Sequence, residues 1–185
     1  MEIDQGIAFI QGSYLRTGSP TEWADLGCGD GFFTGILSGL LKEGSSIYAV
    51  DGNQSALRQV RVARSIHLQT VAVDFVKEQW WPGHLLDGIL MANSLHYAAD
   101  QIDFVRRLRT RLKPDGGLLI VEYDTDRSNR WVPYPLSWDG LQRLFGQVGG
   151  KAGDAGFGRP RKIHEAPSLY NSAGMYSAWV PASAV

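Results

Sequence analysis

Apolar runs of strand length alternate along this chain with stretches of helical period. Residues 23–26 read as a strand. Phe32, Phe33, Ile36, Leu37, Leu40 and Leu41 then recur at helical spacing, with Thr34 and Ser38 on the other face and Gly44 placed to end the helix. Residues 47–50 predict a second strand, and Leu57, Val60, Ala63 and Ile66 a second helix. Residues 68–73 make a third strand and 87–91 a fourth, apolar enough to be buried on both faces. A helix over 101–112 turns Ile102, Val105, Leu108 and Leu112 inward. Residues 113–117 (Lys-Pro-Asp-Gly-Gly) read as a turn, and 118–123 as a fifth strand.

Strands separated by helical crossovers predict a doubly wound α/β domain around a parallel sheet. The tail changes character: residues 124–135 form a polar and aromatic loop, 136–148 a helix, and 161–165 and 175–180 two further strand-like runs. Five glycines fall between 149 and 158, at a flexible connection. With no internal repeat and no long linker, residues 1–185 read as a single domain.

Composition narrows the function classes. The 185 residues are 44% hydrophobic and 20% charged, enough for one core without staples. Eighteen basic against nineteen acidic residues leave a net charge of −1, so no global field draws the chain to nucleic acid or an anionic membrane. Cys28 alone builds neither a disulfide nor a thiolate metal cluster, and His67, His84 and His164 lack metal-ligand spacing, so no metal site is expected. The longest apolar stretches, such as 118–121, fall far below the roughly 18 residues of a membrane span. With Glu2 and Asp4 where a signal peptide would be basic, a cytoplasmic location is expected.

The chemistry starts where the first strand runs into Gly27-Cys28-Gly29-Asp30-Gly31 and a helix follows at once. Glycines there permit positive φ and let a ligand lie against bare backbone, and amides at a helix start favour an anionic or polar group. Asp51 ends the second strand 20 residues after Gly31, where a carboxylate accepts hydrogen bonds from ribose hydroxyls. Loop and acid together predict a nucleoside-containing cofactor. The dinucleotide fingerprint would place its third glycine at position 32, where Phe32 stands, which argues against a pyrophosphate.

These residues resemble a known family. Residues 25–34 (Asp-Leu-Gly-Cys-Gly-Asp-Gly-Phe-Phe-Thr) look like the first motif of class I S-adenosylmethionine-dependent methyltransferases. Residues 50–57 resemble the segment whose acid grips the ribose, Asp74-Phe75 the adenine-binding position, 87–97 the motif lining the methyl-transfer site, and 112–120 the turn into the fifth strand. The resemblance runs in the family's order over about residues 23–123. It implies a Rossmann-like, seven-stranded, mostly parallel sheet with an antiparallel last strand, and S-adenosylmethionine (SAM) as methyl donor, leaving S-adenosylhomocysteine (SAH). It implies that Asp25 orients the loop and the methionyl amine, and that Gly27, Cys28, Gly29 and Gly31 cradle the methionyl group. Asp51 and Gly52 would hold the ribose, Asp74 and Phe75 the adenine, and Asn93 would line the site.

The acceptor is less legible. In a doubly wound sheet the ligand crevice lies beyond the carboxyl ends of the strands, which nominates Asn93, His96 and Tyr97 after strand four and Glu122, Tyr123 and Asp124 after strand five. His96 is the candidate general base, its imidazole suited to neutral pH. Residues 124–136 read as a substrate loop, with Arg130 and Trp131, beside Tyr134 and Trp138, offering an aromatic pocket with one cation. The Asp/Asn-Pro-Pro-Tyr signature of amino-methyltransferases acting on nucleic-acid bases is absent. The arginine-rich segments 58–64 and 106–113 fall on opposite faces of the sheet, so they make no continuous groove and nucleic acid is not the expected partner. Residues 1–20 form only a short cap, with 3–15 as one helix and Tyr14 facing the cofactor. Either the acceptor is large, or a second subunit of a homodimer or the 124–136 loop completes the site. The favoured function is methyl transfer to an oxygen or nitrogen of a small organic acceptor. A catalytically silent cofactor-binding or partner-activating subunit and a nicotinamide-dependent oxidoreductase stay open. Gly35 and Gly39 are expected to let the first helix approach the sheet, and Gly116 and Gly117 to form a turn.

Overall fold

The computed structural model describes residues 1–15, 18–78, 80–149, 156–168 and 173–183. The first two motifs fold as read: β1 (Glu22–Leu26) leads through the glycine loop into α2 (Phe32–Leu40), and β2 (Ser46–Asp51) follows. Before them stands α1 (Ile3–Ile10), which ends earlier than the expected 15; residues 12–15 turn back on themselves through Leu15 N–H to Gly12 O at 3.1 Å.

The second helix is the largest departure from the periodicity. Only α3 (Gln54–Leu57) is helical, capped by Asn53, whose side chain accepts from the amides of Ser55 and Ala56. Leu57, Val60, Ala63 and Ile66 recur every three residues, a spacing that drifts around a 3.6-residue helix. Residues 58–66 instead run as turns across α2, burying Val60 and Ile66, and Ala63 N–H donates to Ser38 Oγ at 2.9 Å. This crossing corrects the reading of Gly35: a Cβ there would stand 3.2 Å from Arg61 O, so the glycine admits the crossing segment and not the sheet. Gly39 meets nothing within 4 Å.

β3 (His67–Ala72), β4 (Leu86–Ala92), a 3-10 turn at Leu95–Tyr97, α4 (Gln101–Arg109) and β5 (Leu112–Asp124) complete the first half. The expected turn at 113–117 lies inside β5. Leu86 pairs with Leu112 and Gly88 with Gly117, so two steps along β4 pass five along β5 in a bulge. A Cβ on Gly116 would stand 2.6 Å from Asp87 O, and one on Gly117 2.6 Å from Val180 O, so both glycines serve close backbone approach. α5 (Trp138–Val148), capped by Ser137, leads to β6 (Arg161–Pro167) and β7 (Gly174–Pro181). Of the glycine cluster, Gly150 and Gly153 lie outside the described residues.

The seven strands run in the order β3-β2-β1-β4-β5-β7-β6. β1 to β5 pair in parallel, while β7 is antiparallel to both β5 and β6. Side chains alternate between two cores: Ala24, Leu26, Leu118 and Ile120 pack with α4 and α5, and Trp23, Leu90, Leu119 and Val121 with α1 and α2. Leu57 and Val60 pack on Ala49 on the α2 side, so the two arginine-rich segments do lie on opposite faces. Trp80 and Trp81 pack against the α4–α5 core, with Arg111 over the Trp81 ring at 5.4 Å. Because the chain leaves β1 for β2 on one side and reaches β4 on the other, a crevice opens at the carboxyl ends of β1 and β4.

Candidate active site at the carboxyl ends of β1, β4 and β5

The glycine loop is tied to the end of β2 by its own backbone. Gly27 and Cys28 amides both donate to Val50 O, at 2.8 and 3.1 Å, and Asp51 Oδ2 accepts from Gly29 N–H at 2.9 Å. Asp51 Oδ1 accepts from Asn53 N–H at 2.7 Å, which fixes the carboxylate between the two motifs. Gly27, Gly29 and Gly31 have φ of 76°, 56° and 89°, in the left-handed region. Beside Gly27 a Cβ would strike Ser94 at 2.5 Å, and beside Gly31 the Val60 backbone at 3.0 Å. Gly29 alone faces open space, which makes it the position where a ligand can lie on bare backbone.

Asp25 sits beneath this loop, 1% exposed. Its Oδ2 accepts from Thr34 Oγ1 at 2.6 Å, whereas its Oδ1 is buried with no hydrogen-bond partner. Burial raises its pKa to about 7, the neighbouring Asp51 charge adds to the rise, and the Thr34 bond opposes it. Burial also pushes the half-buried Cys28 thiol well above its ordinary value, with Asp25, Asp51 and Asp30 adding, so it stays a protonated wall of the loop.

The fourth-strand motif closes over the loop from the other side. Ser94 Oγ donates to Leu26 O at 2.6 Å, a bond between residues 68 apart in sequence. Asn93 adopts a left-handed φ of 54°, donates its amide to Val121 O at 2.8 Å and keeps a buried, unpartnered Oδ1. Phe75 abuts the loop, its ring 3.1 Å from the position a Cβ on Gly27 would occupy. Asp74 is committed locally: its carboxylate accepts from the Val76 and Lys77 amides and pairs with Lys77 Nζ at 2.9 Å, which holds its pKa below the usual range. Gly52 follows Asp51 on the surface.

His96 lies one turn further on, 1% exposed, with Nδ1 2.7 Å from Glu122 Oε2 and its backbone N–H donating to Glu122 Oε1 at 3.1 Å. In the sequence Glu122 is only one of several strand-end candidates. The signal that it is special is a carboxylate directly after the apolar run from Leu118 to Val121. Tyr97 packs on the imidazole with ring centroids 4.5 Å apart, and Tyr123 stands 6.3 Å away. Burial, then the charges of Glu122 and Asp51, raise the Tyr97 pKa.

The 124–136 loop joins this group through one end. Tyr134 N–H donates to His96 O at 3.1 Å, and Val132 is buried. Asn129 Oδ1 accepts from the Trp131 and Val132 amides, so the tip is a defined turn presenting Trp131, 71% exposed, with Arg130 stacked on it at 5.4 Å. Tyr14 does not face the site. Its ring stacks on Trp179 at 4.5 Å and its hydroxyl donates to Ile10 O, beside Pro114, Asp115 and Gly116 at the beginning of β5. Since α1 ends at Ile10, the chain turns toward the amino end of the sheet and takes Tyr14 away from the glycine loop. Among the described residues no group of three or more His, Cys, Asp or Glu could hold a metal ion, and no helix is long and apolar enough to cross a membrane.

Comparison with known proteins agrees with this arrangement. No curated protein matches the sequence. Solved structures with the same fold include the plantazolicin methyltransferase BpumL in complex with SAH (13% identity, 98% of this chain and 84% of that one, TM-score 0.68). A SAM-dependent methyltransferase from Aquifex aeolicus is similar (15% identity, 98% and 99%, TM-score 0.62). So is the N-methyltransferase NodS from Bradyrhizobium japonicum WM9 (17% identity, 98% and 94%, TM-score 0.68). The sequence profile of the family described as "Methyltransferase domain" matches residues 24–118, just over half of the chain and all of the loop, acid and fourth-strand segments. The chain belongs to this family and is a class I SAM-dependent methyltransferase.

Proposed function

We propose that this enzyme moves the methyl group of SAM to an oxygen or nitrogen of a small organic acceptor held between Tyr97, Tyr123 and the Arg130–Trp131 tip. The observation that carries the cofactor assignment is the buried, unpartnered Oδ1 of Asp25 under a glycine loop with one open face. An orphaned carboxylate oxygen in a buried site calls for a cationic partner, and the methionyl ammonium is one.

Asp25 holds that ammonium from below, while the backbone of Gly27, Cys28, Gly29 and Gly31 lies along the methionyl chain. Asp51, already fixed by Gly29 and Asn53, accepts from the ribose hydroxyls, with Gly52 leaving room beside it. Phe75 packs on the adenine. Asp74, engaged by Lys77, reaches the adenine amino group only through the lone pairs its local bonds leave free. Asn93 presents its Oδ1 to the site wall. When bound, SAM supplies a methyl carbon activated by a sulfonium leaving group, so positioning provides much of the rate. His96 takes the acceptor's proton where the acceptor has one to lose. A second subunit completing the acceptor side is part of this reading, supported by the exposure of Tyr97, Trp131 and Tyr134 around the mouth.

A labelled-methyl screen across hydroxyl, phenol, amine and carboxylate acceptors tests it. Transfer to an oxygen or nitrogen acceptor is expected, and His96→Ala is expected to lower kcat about 10²- to 10⁴-fold with little change in KM for SAM. Full turnover by His96→Ala would remove the base, and binding of SAM without transfer to any acceptor would favour the silent-subunit reading.

A further inference from the structure

The His96–Glu122 pair has more structure than packing requires. Both carboxylate oxygens of Glu122, at the buried end of β5, are spent on one residue: Oε1 on the His96 backbone N–H at 3.1 Å, Oε2 on His96 Nδ1 at 2.7 Å. The opposite ring nitrogen, Nε2, is buried without a partner. A carboxylate only accepts hydrogen bonds, so its contact with Nδ1 places the imidazole proton there and leaves the lone pair on Nε2. A histidine with a purely structural role would satisfy both nitrogens, since an unpaired buried polar atom costs free energy. We propose that Glu122 is the positioning residue that locks His96 in the Nδ1–H tautomer and aims Nε2 as proton acceptor for methyl acceptors that carry an O–H or N–H. This rests on the methyltransferase reading and narrows its substrate class.

In the transfer step the acceptor's proton passes to Nε2. The electron pair it leaves on the oxygen or nitrogen forms the new bond to the methyl carbon. The carbon–sulfur bond breaks with its pair going to sulfur, whose positive charge is thereby cancelled, and His96 later returns the proton to water. Glu122 faces the positive charge that forms on the ring and stabilises it, as a buried acid does behind any imidazole base. The half-exposed Tyr97 ring packs on the imidazole, with ring centroids 4.5 Å apart. Hydroxyls, phenols and ammonium groups need such a base. Carboxylates, thioethers and tertiary amines do not, and are the wrong class for this site.

Glu122→Gln, which keeps size and shape, separates this role from packing. The His96 backbone N–H still requires an acceptor, so the amide oxygen takes it and the amide nitrogen turns to Nδ1. As a donor it forces the imidazole proton onto Nε2. ¹⁵N-resolved spectra of the imidazoles read the tautomer directly, without needing solvent access to the buried ring. His96 is expected to show a protonated Nδ1 and a bare Nε2 in the parent and the reverse in Glu122→Gln, with His67, His84 and His164 unchanged. The reverse tautomer in the parent, or the same tautomer in the two proteins, overturns the proposal. Calorimetry with SAH on the same samples keeps the two readings apart. A parent that fails to bind SAH removes the methyltransferase reading whatever the histidine chemistry, whereas SAH binding with the same His96 tautomer in both proteins removes only the role of Glu122.

Discussion

Asp25, buried by the fold with one unpartnered oxygen, is the residue proposed to meet the methionyl ammonium. The folded protein holds its carboxyl near 7 instead of 3.8, chiefly by burial. The folded state therefore keeps a proton that the unfolded chain has lost, so stability falls as pH rises from about 4 to about 7 and then levels. A ligand that brings an ammonium to Oδ1 reverses the preference and draws the acid into its ionised form. Below pH 7, binding of SAH should accordingly release a proton, and affinity should rise by up to about tenfold per pH unit until about pH 7. Asp25→Asn should weaken SAH and flatten that dependence. Calorimetry in buffers of different ionisation enthalpy reads both effects, and a pH-independent affinity in the parent would show that the orphaned oxygen does not meet the ammonium.

At the scale of elements, the glycines divide by what stands beside them. Those of the loop are legible in the sequence because strand, glycines and helix fall in order, and the structure gives each a positive φ. Gly116 and Gly117 are not. A Pro-Asp-Gly-Gly run signals a turn locally, and only the pairing of β5 with β4 and β7 turns it into a bulged strand. The same limit hides the end of the second helix, where a step of three residues passes for helical period and only the crossing over α2 explains it. Tyr14 departs for a related reason: one helix extended to 15 would carry it elsewhere than a helix ending at Ile10 does. His96 is nominated by its place after β4, but its partner Glu122 lies 26 residues away, and no local pattern joins the two. Two substitutions test the glycine division. Gly117→Ala, against the Val180 carbonyl and the Trp179 ring, should cost about 1–3 kcal/mol. Gly39→Ala, with open space beside an exposed helical position, should gain up to about 1 kcal/mol. Urea denaturation measures both, and the same sign for the two would contradict the packing described.

Over the whole molecule, the strand order brings the ends of β1, β4 and β5 to one edge. β1 delivers the glycine loop and Asp25, β4 delivers Asn93 and His96, and β5 delivers Glu122, while β2 brings Asp51, the proposed ribose acid, from the side. The 124–136 loop hangs from His96 through Tyr134 and presents Arg130 and Trp131 at its tip. We propose that this edge binds the nucleoside and methionyl parts of SAM through Asp51 and Asp25. Isothermal titration of SAH into the parent, Asp51→Ala and Asp25→Asn, with NAD as the comparison ligand, tests it most directly. One SAH per chain is predicted for the parent, with at least about tenfold weaker binding in each variant and no heat from NAD. NAD binding in place of SAH, or SAH affinity equal in all three proteins, would rule out SAM binding through Asp51 and Asp25.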